Sequence, residues 1–212
     1  MTTADMSIAT FLAAVAARQT MPGGGAAAAV TGAQAAALVS MVINFTLGNA
    51  KYAAVEAEMQ EYLAQSEVLR EVILAQADRD IEAFNAVAAG YALPRRTDEE
   101  KAARSAAIQA ALKGATEVPF VLAEQCVALL RLIEPVARQG NTNVVSDAAT
   151  ALHLAQGAFE SALVNVNINL KALKDEEFVA QATARRDALQ AEAAAAHAAA
   201  KAACIQSLGI PL

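Results

Sequence analysis

Apolar positions recur at helical spacing along almost the whole chain. Ile8, Phe11, Leu12 and Val15 return to one face every three or four residues and predict a short first helix over about 7–19. Ala26 to Val42 is apolar nearly all round, as expected of a second helix, about 25–47, buried in a core. Gly48-Asn49 breaks the pattern. A third helix, about 50–89, carries Val55, Met59, Tyr62, Leu69, Ile73, Phe84 and Val87 on its stripe and ends at Gly90 and Pro94. Thr97 and Glu100 have capping-box spacing at the start of a fourth, about 97–138, in which Pro119 and Pro135 predict kinks. A turn at 139–142 precedes a fifth, about 143–170. Asp175-Glu176-Glu177 open a sixth, with acid suited to the dipole, which ends near Leu208. No strand pattern, fixed repeat or linker interrupts the series. The expectation is all-α: one domain over residues 1–212, a bundle of about six long, partly kinked helices.

Composition sharpens that picture. Apolar residues are 56% of the chain, with alanine prominent, and aromatics are only 4%. Helices packed closely through small side chains follow, since alanine is the best helix former. Their flat faces, including the alanine-rich stretch 191–203, lead us to expect a two-fold homodimer. The net charge is −6 and no long Lys/Arg cluster occurs, so no nucleic-acid partner is expected. The second helix is long enough to raise the question of a membrane. It is largely alanine and holds Thr31, Gln34 and Ser40, so it reads as core, and no membrane partner is expected. Cys126 and Cys204 lack paired spacing and read as buried thiols in a reducing compartment. With no basic leader at the N-terminus, a cytoplasmic location is expected. His153 and His197 have no ligand-spaced partners, so no metal is expected.

Three features carry candidate chemistry. Pro22-Gly23-Gly24-Gly25 stands immediately before the second helix. It is either a tight turn or a loop whose N–H groups receive a ligand. Asp80 shares its helix face with Ile73, Ala77, Ala83, Phe84 and Val87, all apolar. A carboxylate there needs a partner or a cationic ligand, or its pKa rises. It is either a structural acid bonded to another helix or a functional one. Asp78 points elsewhere, toward solvent. On the fifth helix, Asp147 and Asn165 lie five turns apart on one face and Asn169 continues it. Buried amides must be paired, by another helix or by a ligand. Asn141 and Ser146 fit plain helix caps equally well. Lys51, Arg95 and Arg96 are either solvated or hold an anionic tail.

In order along the chain, Pro22-Gly23-Gly24-Gly25, Ser40-Met41-Val42, Thr46-Leu47-Gly48 with Lys51-Tyr52, Asp80-Ile81-Glu82-Ala83-Phe84, Leu93-Pro94 with 97–101, Gly140-Asn141 with Ser146-Asp147, and Asn165-Val166-Asn167-Ile168-Asn169 resemble the cyclodeaminase/cyclohydrolase family. That family holds the C-terminal domain of formiminotransferase-cyclodeaminase and the stand-alone bacterial methenyltetrahydrofolate cyclohydrolases. Residues 98–104 look especially like the stand-alone branch. The resemblance implies an all-helical homodimer that binds a tetrahydrofolate derivative as substrate, with no cofactor. It places Asp80 on the essential acid. It places Pro22, Gly23, Gly24, Gly25, Ser40, Thr46, Asn141, Asp147, Asn165 and Asn169 around the folate, with Lys51 as an anchor for its tail. Relatives often carry a basic residue where this chain has Asn49. The implied reaction is hydrolysis of 5,10-methenyltetrahydrofolate to 10-formyltetrahydrofolate. The alternative is the cyclodeaminase reaction on 5-formiminotetrahydrofolate, which releases ammonia. Lack of a formiminotransferase domain in this chain leans the expectation to the first. A non-catalytic helical scaffold or folate binder is the reading from another class.

Overall fold

Alanine and glycine set how closely these helices approach. In the computed structural model, which describes residues 2–212, the chain forms α1 (Ile8–Ala16), α2 (Gly24–Asn44), α3 (Glu56–Ala92), α4 (Asp98–Gln139), α5 (Val145–Ala172) and α6 (Glu176–Leu208). Short 3-10 turns occupy Thr3–Asp5 and Ala50–Val55. No strand occurs among the described residues. The expected all-α class and the six helices are therefore found.

The predicted signals act where they were read. Thr97 Oγ1 accepts from Glu100 N at 3.2 Å, and the Glu100 carboxylate returns to Thr97 N and Arg96 N. Asp175 Oδ1 accepts from Phe178 N at 3.0 Å and caps α6. Three boundaries differ from expectation. The first helix stops at Ala16, where Ala17 turns extended. The expected start of the third is the 3-10 turn at Ala50–Val55. The fifth begins at Val145 rather than near 143, because Asn141 Oδ1 draws in Asn143 N at 3.0 Å and holds the chain in a turn.

α2 is the centre. It packs on α3 and α5, while α4 covers α3 and α5 and carries α6 outside. This burial explains how a helix apolar enough for a membrane span serves as a core. In α6, Ala193, Ala196, Ala200 and Ala203 are buried, so one face of the alanine-rich stretch belongs to this core. Both thiols are buried. Desolvation pushes Cys126 up to about 12 and Cys204 up to about 11, so both are inert.

Gly32 shows the packing rule. A methyl group there would stand 3.0 Å from Ile73 Cγ2, 3.4 Å from Ala158 Cβ and 3.6 Å from Cys126 Sγ. Four helices meet in this one dry layer. Neighbouring helices run antiparallel: Ser40 meets Ser66 and Gly90 meets Ile108. A step of two turns toward the start of α2 therefore moves each helix seven residues, to a layer of Gly25, Asp80, Pro119 and Asn165. Seven residues carry the core from apolar to polar.

Candidate active site

Gly23 is the N-cap of α2 and has no side chain with which to cap it. The first N–H groups of a helix lack internal partners. Asp80 reaches across from α3 and supplies the missing acceptor: Ala26 N donates to Asp80 Oδ2 at 3.1 Å. The carboxylate thus lies on the positive end of the α2 dipole. Gly25 makes room for it, since a methyl group at residue 25 would overlap both oxygens. Any side chain at that position displaces the acid or the helix end.

Oδ1 of Asp80 takes no hydrogen bond from any described residue. The side chain is half-buried, and desolvation holds its pKa above the usual carboxylate value, with the Ala26 N–H pulling the other way. Asp80 is therefore bonded to another helix through one oxygen and free to act through the other. Ile73 and Ala77 on its face are fully buried, as the spacing predicted, whereas Phe84, one turn beyond, is 39% exposed because the stripe runs out of the core there.

Asn165 belongs to the same layer. Its Nδ2 donates to Ser161 O at 2.9 Å, and its Oδ1 carries no bond from a described residue. Asn169, one turn further, donates Nδ2 to Ala115 O on α4 at 2.9 Å. Pro22 follows a cis bond, and with Gly23 and Gly24 it leads into the helix start. Gln76, one turn below Asp80 on the same face, is 2% exposed. Its Nε2 donates to Val72 O at 3.0 Å and its Oε1 has no partner among the described residues. Sequence reasoning missed Gln76, although its i,i+4 relation to Asp80 was there to read.

The other expected residues lie elsewhere. α2 has 21 residues, so roughly 30 Å separates its ends. Thr46 is 1% exposed at the far end. Its Oγ1 accepts from Asn141 N at 2.8 Å and donates to Val42 O at 2.8 Å. Asn141 Nδ2 donates to Phe45 O at 2.8 Å. Together they tie the end of α2 to the α4–α5 turn. Ser40 Oγ donates to Ser66 Oγ, which donates to Ala36 O, both at 2.9 Å. Lys51 is exposed over the Tyr52 ring, and Tyr52 OH receives Thr142 N at 3.1 Å. Asp147 lies in the first turn of α5, at this same end. Within one chain, then, Pro22, Gly23, Gly24, Gly25, Asp80, Asn165 and Asn169 gather at one end of α2. Ser40, Thr46, Lys51, Asn141 and Asp147 do not join them. Asp78 is not solvated as expected: its Oδ1 accepts from Thr3 N at 2.8 Å and Thr3 Oγ1 at 2.7 Å.

A groove of 540 Å³ runs between α1, α2 and α3, lined by Phe11, Val30, Thr31, Gln34, Arg70 and Leu74. It faces the side of α2 opposite Gly25, because Thr31 and Gln34 lie far round the helix from it. Arg70 there is already paired with Glu67 at 2.6 Å. Among its described lining residues the groove holds no unpaired acid or base, whereas Asp80 keeps a free carboxylate oxygen. No cluster of metal-ligating side chains occurs among the described residues.

Comparison with known proteins adds to this geometry. A family model described as formiminotransferase-cyclodeaminase matches residues 7–188. Methenyltetrahydrofolate cyclohydrolase of Methylorubrum extorquens is 47% identical over 189 residues, 89% of this chain and 91% of that protein. Formimidoyltransferase-cyclodeaminase of Sus scrofa is 35% identical over 87% of this chain, which spans 34% of that protein's length. The crystal structure of formiminotetrahydrofolate cyclodeaminase from Thermotoga maritima superposes with a TM-score of 0.86 at 32% identity, over 96% of this chain and 98% of that one.

Proposed function

The chain belongs to the formiminotransferase-cyclodeaminase family, and we propose that it hydrolyses 5,10-methenyltetrahydrofolate to 10-formyltetrahydrofolate with Asp80 as acid and base. The observation that carries the residue assignment is the unbonded Oδ1 of Asp80 in a desolvated niche. The Methylorubrum relative supports the reaction.

The substrate carries a delocalised amidinium cation. A carboxylate out of bulk water attracts that cation more strongly than one in solvent. Water adds to the one-carbon bridge, and Asp80 Oδ1 takes one of its protons as the C–O bond forms. Asp80 then returns the proton to N5 as the C–N5 bond breaks. The hydroxyl proton leaves to solvent, and the formyl carbonyl stays on N10. Proton transfer of this kind contributes about 10²–10⁴-fold. Asn165 Oδ1 offers an acceptor to the pterin edge, and the glycine loop lets backbone approach the ring. No cofactor is required. The cell interior is the setting that suits a folate substrate and free thiols.

The two residue groups at opposite ends of α2 support a two-fold homodimer, in which Ser40, Lys51 and Asp147 serve the acid end of the other copy while Thr46 and Asn141 fasten the turn at that end of α2. An exposed stripe of Ile8, Leu12 and Val15 on α1 is available for such packing. A monomer in sedimentation at assay concentration would remove that part.

The cyclodeaminase reaction is the second reading, favoured by the Thermotoga fold. There N10 closes on the formimino carbon as its proton passes to the imino nitrogen, and protonated Asp80 supplies the further proton with which ammonia leaves. Following the methenyl chromophore and ammonia in parallel decides between the two. The expected result is chromophore loss without ammonia, falling about 10²–10⁴-fold in a folded Asp80→Asn protein. Full activity in that variant removes Asp80 from the mechanism.

A further inference from the structure

Pro119 has no N–H, so the carbonyl of Ala115 one turn earlier loses the donor that a regular helix supplies. Ala115 is buried, where an unpaired carbonyl is costly. Asn169 fills the place: its Nδ2 donates to Ala115 O at 2.9 Å. Thr116 offers no substitute, since its hydroxyl donates back to Leu112 O at 2.7 Å. The same segment of α4 is held from outside by α6. Arg185 bonds Glu117 at 2.8 Å and Glu124 at 2.7 Å, on either side of Pro119, and lies 4.3 Å over the Phe120 ring. Pro119 stands in the layer of Gly25, Asp80 and Asn165. The break in the α4 ladder therefore falls level with the acid.

We propose that Asn169 is a positioning residue, which acts on the reaction by completing the Pro119 break rather than by touching the folate. Its amide replaces the one hydrogen bond that proline removes, and this fixes the α4 wall opposite Asp80. The catalytic part of this inference rests on the reading of Asp80 given above. The pairing of Asn169 with the Pro119 break does not.

The test is a double-mutant cycle with Pro119→Ala and Asn169→Ala, reading kcat, KM and Tm in all four proteins. Alanine at residue 119 restores an N–H to the Ala115 carbonyl. Asn169→Ala is expected to lower kcat roughly tenfold and to lower Tm when Pro119 is present, and to change neither in the Pro119→Ala background. An equal loss of activity in both backgrounds overturns the proposal, since it marks direct contact with substrate. So does no loss in either. A fall in Tm with unchanged kcat leaves the pairing purely structural and also overturns it.

If Pro119→Ala does not fold, Asn169→Asp takes its place: the shape is kept and the N–H donor is lost. The same fall in kcat and Tm as in Asn169→Ala is expected, and wild-type values in Asn169→Asp reject the role. Asp80→Asn run alongside separates the failures. If it keeps full rate, the reaction assignment fails while the Tm cycle still judges the pairing.

Discussion

The two ends of α2 use the same kinds of side chain to opposite effect. At the far end, Thr46 and Asn141 direct their side-chain groups to protein partners within a buried turn. At the near end, Asp80 uses one oxygen and leaves the other without a donor among the described residues. A saturated network can hold a turn but has little left for a ligand. A half-satisfied acid in a partly dry niche costs stability and keeps a reactive group available. Hydrogen-bond accounting, more than residue type, separates a fastening from a group left free for a ligand.

Gly25→Ala attacks the near end most directly. Helix propensity alone predicts a gain of about 0.5–1 kcal/mol, but the added methyl overlaps the Asp80 carboxylate. We expect kcat/KM to fall roughly 10²-fold through misplacement of the acid, measured by methenyl hydrolysis. Wild-type turnover would show that the carboxylate need not occupy that seat.

Thr46→Val attacks the far end. It leaves the buried Asn141 N–H without its acceptor, and we expect a loss of about 1–3 kcal/mol in urea unfolding, with kcat unchanged in the folded protein. A loss of kcat without a loss of stability would erase the contrast between the two ends.

The smallest effect sharpens the comparison through pH. Asp80 has a raised folded pKa. Its contribution to stability is fully present below the ordinary carboxylate pKa and is lost as pH rises through the folded value. Asp80→Asn keeps an oxygen for Ala26 N and has no charge to desolvate. The variant is expected to match wild type at low pH and to gain in Tm relative to it at neutral pH. A gain confined to acid conditions contradicts the desolvated state. The wild-type rate should rise with pH over the same raised interval, because the base must be ionised.

Much of the fold was legible. The cap at Thr97, the acid that opens α6 and the apolar spacing in α2 to α5 act locally, and local rules read them well; that Asp175 also caps α6 came from the structure. The site was legible in part. Asp80 stood out because a carboxylate on an apolar stripe has no local reason to be there. Asp78, two residues away, was misread, because its partner Thr3 is 75 residues distant and follows no helical period. Pro119 was read only as a kink, since nothing in its neighbourhood announces that Asn169 supplies the missing bond.

The sequence by itself determined an all-helical chain, the buried faces of α2, α4 and α5 and one acid on a largely apolar stripe, because helix periodicity is written within a few turns. Ile8, Leu12 and Val15 on the apolar stripe of α1 and Phe84 on α3 are exposed instead. Only the tertiary structure decided that Gly25 makes room for that acid, that α2 lends it an N–H, and that the family's polar residues divide between two ends of one helix. Those outcomes depend on the register between antiparallel helices, which arises from packing across distant segments and has no signature in any one of them.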